Sequence, residues 1–261
     1  MTPPRPALPR LSEILGLKAG DMAAVMGAGG KATLMKRLVR ELLDARLPVV
    51  VTSTTNLHSL GGDGAPALLL SGEGRERVHE AAAQWAARGA VVWVEKKLPR
   101  NMFRGLPPAQ VEALHAQGGG LVLVVKADGA RKRLIKAPGG GEPLIPRGAT
   151  HCVVVLGLAA IGEPATADVV HRPERVRAVA GLAPGETIEA RHLAALAGHP
   201  ESYPSRLPPG AQRVLYLSHC TGPESLRRAQ EVWEAVPPGA YDLLLAGDAV
   251  EGNFYRRGAN A

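Results

Sequence analysis

The 261-residue chain carries a formal net charge of +7, 46% hydrophobic residues and only 3% aromatics. So few aromatics argue against a stacking surface for single-stranded nucleic acid, and two cysteines, Cys152 and Cys220, exclude a disulfide framework. No apolar stretch reaches the roughly 18 residues that span a bilayer, and the opening MTPPRPALPRLSEILGL lacks the apolar core of a signal peptide, so a cytoplasmic protein with no membrane and no nucleic-acid partner is expected.

In chain order, strands are expected at 22–26 (MAAVM), 48–53 (PVVVTS), 67–70 (ALLL), 90–95 (AVVWVE), 121–127 (LVLVVKA), 152–157 (CVVVLG), 213–219 (RVLYLSH) and 241–246 (YDLLLA). Several are continuous apolar runs, the pattern of strands covered on both faces in a parallel sheet. Helices are expected between them at 31–46, 74–88, 108–117, 173–180, 187–197 and 223–236. In the first helix Leu34, Leu38 and Leu42 recur on one face, with Lys36, Arg37 and Arg40 elsewhere. Such alternation predicts an α/β fold with a mostly parallel sheet flanked by helices. The segment 129–150, GARKRLIKAPGGGEPLIPRGAT, reads as a long functional loop with room for a short hairpin, and 198–212 as a Pro-rich surface connection. No linker is long enough to split the chain, so 1–261 is expected to be a single domain. The basic runs Lys96-Lys97 and Arg131-Lys132-Arg133 read as solvated surface or as a pocket for a phosphorylated ligand.

The stretch AAVMGAGGKATLMKRL, 23–38, joins the first strand to the first helix. Glycines there let the backbone curl, and a helix N-terminus offers unpaired N–H groups to phosphate. The long pattern G-x-x-x-x-G-K-[ST] is not met, because its first glycine would fall at Val25. Gly27-Ala28-Gly29-Gly30-Lys31 instead resembles the shorter G-x-x-G-K-[ST] loop of ATP-dependent ligases. Ala32 stands where that loop needs a hydroxyl for Mg²⁺, and Thr33 comes one residue late, about 100° around the helix. A dinucleotide loop, G-x-G-x-x-A, would accept Ala32, but it wants an acid after the second strand. The chain has Thr52-Ser53-Thr54-Thr55-Asn56 there. A glycine turn that binds nothing is the third reading.

Asp128 ends an apolar strand, where a carboxylate can hold Mg²⁺ through water or can simply make an Asp-Gly turn. Glu95 at another strand end reads as solvated, and Glu142 beside Lys136 as part of a substrate-facing loop. In His171-Arg172-Pro173, the proline suits a helix start and Arg172 can grip a carboxylate or phosphate. His151-Cys152 starts a strand and His219-Cys220 ends one, so parallel strands put the two pairs at opposite rims and argue against a joint metal site.

The blocks MGAGGKATLMKRLVREL, VVVTSTTNLHSL, VVKADGARKRLIKAPGGGEPLIP, VVVLGLAAIGEP and VVHRPERV resemble, in this order, the YqeC family, over roughly 12–250. That resemblance implies a P-loop NTPase-like three-layer fold and an accessory role in maturing a selenium-dependent molybdenum hydroxylase, with selenium handling. Four positions depart from the family pattern. Ala32 replaces a threonine, Lys126 an acid, and Ala159 an aspartate, while Ser218-His219-Cys220-Thr221 replaces Asn-Lys-x-Asp. On this reading Gly27, Ala28, Gly29, Gly30, Lys31, Ala32 and Thr33 hold the phosphates of ATP or GTP. Thr54 or Thr55 with Asp128 positions Mg²⁺ and water, and Lys31, Thr54 and Asp128 serve phosphoryl or nucleotidyl transfer. The 129–150 loop with His171 and Arg172 meets a second, anionic substrate or a client hydroxylase. A non-hydrolysing module that holds a cofactor or client is the first alternative, and a dinucleotide-dependent oxidoreductase the second.

Overall fold

The computed structural model describes residues 9–58, 67–85 and 89–258. Helix α1 (Leu11–Leu15) precedes strand β1 (Met22–Gly27), helix α2 (Lys31–Asp44) and strand β2 (Val49–Ser53). Next come β3 (Leu57–His58), β4 (Ala67–Leu70), α3 (Arg75–Trp85), β5 (Val91–Val94), a hairpin of β6 (Lys96–Leu98) and β7 (Met102–Arg104), and α4 (Pro108–Ala116). The second half holds β8 (Val122–Lys126), β9 (Ile135–Lys136), β10 (His151–Gly157), β11 (Val170–His171), α5 (Pro173–Ala180) and α6 (Ala190–Gly198). It ends with β12 (Gln212–Ser218), α7 (Pro223–Ala235), β13 (Leu243–Asp248) and β14 (Asn253–Arg256).

Nine strands form one sheet, ordered β14-β13-β12-β10-β1-β8-β2-β5-β4. Every pairing in it is parallel except that of β14 with β13. All eight strands read from apolar runs are in this sheet. The expected helix 74–88 is described from Arg75 to Trp85, and 86–88 lie outside the described residues. Alternate residues of each strand feed two faces. Val25, Val51, Val124 and Val155 pack with Leu34, Leu38 and Leu42 of α2. On the opposite face Met26, Val154 and Leu217 meet α5, α6 and α7, and Val50, Leu123 and Trp93 meet α3 and α4. The architecture is therefore three-layered: helix, sheet, helix.

Two expectations about connections are corrected. The 129–150 segment makes no hairpin: Ile135–Lys136 pairs in parallel with Val170–His171 instead. Apolar residues inside the segment drive this, because Ile135 and Ala137 are fully buried. Likewise 198–212 is not purely a surface connection, since Ser202 and Tyr203 are fully buried within it.

From β1 the chain passes to β2, returns to β8 beside β1, and then crosses to β10 on the other side of β1. Strand order thus reverses at β1. In open α/β sheets the ligand crevice lies at the carboxyl ends of the strands at such a point.

Candidate functional site

Five strand ends meet at this rim: Gly27 of β1, Ser53 of β2, Lys126 of β8, Gly157 of β10 and Ser218 of β12. Register fixes their proximity. Val25 lies opposite Lys126 and Val153, Ser53 opposite Lys126, and Gly157 opposite Ser218.

The loop from β1 to α2 is a tight glycine turn. Gly27, Gly29 and Gly30 have φ of 96°, 74° and 104°, a region open to glycine but strained for other residues. A Cβ on Gly27 would run into the Val155 carbonyl, and one on Gly29 into the Leu134 carbonyl and the Gly157 backbone. Three loop amides are already engaged. Gly27 donates to Asp128 Oδ2 at 2.9 Å, Ala28 to the Val155 carbonyl at 2.8 Å and Gly29 to the Arg133 carbonyl at 2.9 Å. The next four, from Gly30 to Thr33, have no acceptor among the described residues, and Leu34 is the first to bond back, to Gly30. Ala32 and Thr33 face solvent.

Lys31 opens α2 with its side chain turned inward and only 7% exposed. Its Nζ donates to the Gly27 carbonyl and lies 3.0 Å from Asp128 Oδ1. Burial pushes this ammonium's pKa down, and the Asp128 charge opposes the shift. Asp128 is fully buried. Its Oδ2 takes both the Gly27 amide and, at 2.8 Å, Lys136 Nζ. Its Oδ1 is ion-paired to Lys31 yet receives no aligned hydrogen bond from the described residues.

Lys136 is the residue that sequence reading left without a role. Its side chain is 0% exposed and also binds Glu142 Oε2 at 2.9 Å and the Gly129 carbonyl at 2.8 Å. The signal was a cation flanked by Leu134-Ile135 and Ala137-Pro138, set apart from the basic run Arg131-Lys132-Arg133. Glu142 in turn takes Arg172 Nη1 at 2.6 Å. Burial would raise the Glu142 carboxyl, but hydrogen bonds from Arg172 and Lys136 hold it down at about 2. Arg206, also unremarked in the sequence, donates to the Gly139 carbonyl at 2.8 Å and the Glu142 carbonyl at 2.5 Å. The 129–150 segment is thus laced across the rim by buried charge.

The remaining candidates sort by position. Thr54 donates its hydroxyl to the Leu144 carbonyl at 2.7 Å, which leaves its oxygen lone pairs open. Thr55 Oγ1 accepts from Lys126 Nζ at 2.8 Å. Arg172, the expected anion grip, is engaged by Glu142 and sits at φ 57°, just before Pro173 starts α5. His171 is partly buried beside Lys136, Arg172 and Arg131, and burial with those charges lowers its pKa. Glu95 pairs with Arg104 at 3.6 Å at the strand end. Gly27–Thr33, Asp128, Thr54, Thr55 and Lys126 therefore converge on one rim. Lys136 ties His171 and Arg172 to the same rim through the 129–150 segment.

The model of a family described as YqeC protein matches residues 23–174, from β1 through the start of α5. The chain belongs to the YqeC family. It is also similar to the uncharacterized protein YqeC of Escherichia coli (strain K12), 25% identical over 240 residues that cover 90% of each chain. The family match contains the glycine loop, Asp128, the laced segment and Arg172. Three of the departures noted in this YqeC-family sequence lie on the rim itself. Ala32 sits at the glycine loop in the first turn of α2, Lys126 ends β8, and Ser218 donates its hydroxyl to the Gly29 carbonyl with Leu156 O beyond it. His219 follows at φ 61°, its Nδ1 3.1 Å from Ser218 Oγ. His151 sits at the far end of β10, opposite Gln212 rather than Ser218, so the two His-Cys pairs do lie at opposite rims.

Proposed function

We propose that this protein binds a nucleoside triphosphate, ATP or GTP, at the Gly27–Thr33 loop, and uses it in maturing a selenium-dependent molybdenum hydroxylase. One observation carries the reading: a buried ammonium, Lys31, lies at the topological switch point beside four helix-start amides that lack acceptors among the described residues. Amides and ammonium together form a receptor for phosphate oxygens. Lys31 would leave the Gly27 carbonyl and turn onto the terminal phosphates. Lys136 supports that exchange, because it keeps the buried Asp128 paired when Lys31 departs.

Magnesium fits this arrangement. Asp128 Oδ1 lacks an aligned donor among the described residues, and the Thr54 oxygen keeps free lone pairs, so these two atoms would hold Mg²⁺ directly or through water. The ion would supply neutralisation of phosphate charge. Family membership supports the maturation role, and a client hydroxylase or its cofactor is the second partner.

A thermal-shift panel of ATP, GTP, CTP and NAD, with and without Mg²⁺, tests the reading. A nucleotide at 100 times its dissociation constant stabilises by about 2.7 kcal/mol. Lys31→Met should abolish the shift given by triphosphates. A nicotinamide shift that survives Lys31→Met would favour the dinucleotide oxidoreductase instead. The non-hydrolysing module also has an observation behind it, since Ala32 presents no hydroxyl at the phosphate loop. It predicts a triphosphate shift with no phosphate release above background.

A further inference from the structure

We propose that Lys126 forms a second oxyanion subsite, on the β2 side of Lys31, which takes the phosphate group of a phosphorylated small molecule. The subsite rests on the nucleotide reading only in being the second of two.

Lys126 is the last residue of β8, between Val25 of β1 and Ser53 of β2. Val122 and Val124, on the same side of that strand, pack under α2. Strand alternation therefore sends Lys126 toward the N-terminal end of α2. Its Nζ donates to Thr55 Oγ1 and the Asn56 carbonyl, each at 2.8 Å, and both acceptors are neutral. An ammonium has three donors, and the third has no acceptor among the described residues. No carboxylate of those residues lies within ion-pair distance of it. The two carboxylates that act on it from farther off, Asp128 and Glu142, are committed to Lys31, Lys136 and Arg172.

The rim thus sets Lys31, Lys126, Lys136, Arg172 and Arg206 against Asp128 and Glu142. A partly buried ammonium held only by neutral partners carries an unbalanced charge that an anion would balance. A lysine, as a point charge among hydroxyls, suits a tetrahedral phosphate, while planar carboxylates are better matched by the fork of an arginine. The sequence pointed to Arg172 for such a group, but Glu142 already holds it, so of Lys31, Lys126, Lys136 and Arg172 it is Lys126 that has no carboxylate partner among the described residues.

The test is a titration of the ¹⁵N-labelled full chain with inorganic phosphate, glycerol 3-phosphate or acetate at matched ionic strength. Phosphate should move the Thr55, Asn56 and Lys126 amide signals saturably, and acetate should do so at least tenfold more weakly. Lys126→Gln should weaken the phosphate response at least tenfold, while Lys126→Arg, which keeps the charge, should retain it. Lys31→Met should abolish triphosphate binding yet leave this response in place, so the two sites fail separately. Response to glycerol 3-phosphate supports a phosphorylated substrate, and response to the inorganic ion alone overturns that substrate class. Unmoved signals, an unchanged affinity in Lys126→Gln, or equal affinity for acetate would overturn the subsite itself.

Discussion

Two charged side chains at the rim pull stability in opposite directions, and pH separates them. The Glu142 carboxyl is held at about 2, below its ordinary 4.5, because hydrogen bonds from Arg172 and Lys136 outweigh its burial. A depressed carboxyl stabilises the fold fully above its unfolded value and loses that contribution as pH falls through the folded one. Denaturant melts should therefore show wild type more stable than Glu142→Gln at neutral pH, with the gap closing between about 4.5 and 2. Lys126 has the reverse sign. Its pKa is lowered from 10.5 to about 8 by burial and by Lys31, so its charged form is disfavoured in the folded state. Below pH 8 the penalty is present in full, and it fades as pH rises through 8 toward 10.5. Lys126→Met should therefore melt higher than wild type at pH 7, and the difference should shrink toward pH 10. A stabilising loss of a charged residue is the pattern expected where function is served at the expense of stability.

At the scale of elements, the glycine loop combines two demands that the sequence displays as one motif. Gly27 is needed because its φ is 96° and a Cβ would enter the Val155 carbonyl. Gly30 is needed for its φ of 104°, while the nearest atoms, on Ser218, leave ordinary room at 3.4 Å. Gly129 has neither restriction, because a Cβ there would meet nothing within 4 Å. Substitution by alanine should therefore cost roughly 2–5 kcal/mol at Gly27, where strain and a backbone clash add, and about 1–3 kcal/mol at Gly30, where strain acts alone. At Gly129 the change should stay within about 0.5 kcal/mol. Urea denaturation of the three variants measures the ranking. Much of this element was legible in the sequence: MAAVM and KATLMKRL announce a buried strand and a one-faced helix through apolar pattern alone. The chain's other buried strands, from VVVTS to DLLLA, were legible for the same reason. Edge strand β14, Asn253–Arg256, was not, because its half-exposed residues carry no continuous apolar signal. The small strands β3, β6 and β7 are too short for any period to show.

Across the whole molecule, what the sequence concealed is the lacing of a Gly- and Pro-rich segment into the interior. Composition marked 129–150 as a loop, yet its partners are far off in sequence: Gly29, Gly157, Val169, Arg172 and Arg206. Local pattern cannot report such contacts, and Lys136 alone hinted at them. The consequence is mechanical. Gly29 donates to the Arg133 carbonyl, Gly157 to Leu134, and Leu134 to Val169, so the glycine loop, the end of β10 and the approach to β11 share one ladder through residues 133–134. Opening that segment must release all three together, as one cooperative unit. Native-state hydrogen exchange should show the Gly29, Leu134 and Gly157 amides opening with a common free energy. Glu142→Gln weakens the tie to Lys136 and Arg172 and should lower that shared value, speeding all three amides alike. The Val214 and Leu245 amides, in β12 and β13 on the far side of β10, should keep their wild-type rates. Exchange that quickened at Leu134 but not at Gly29 would show that the laced segment and the glycine loop move independently.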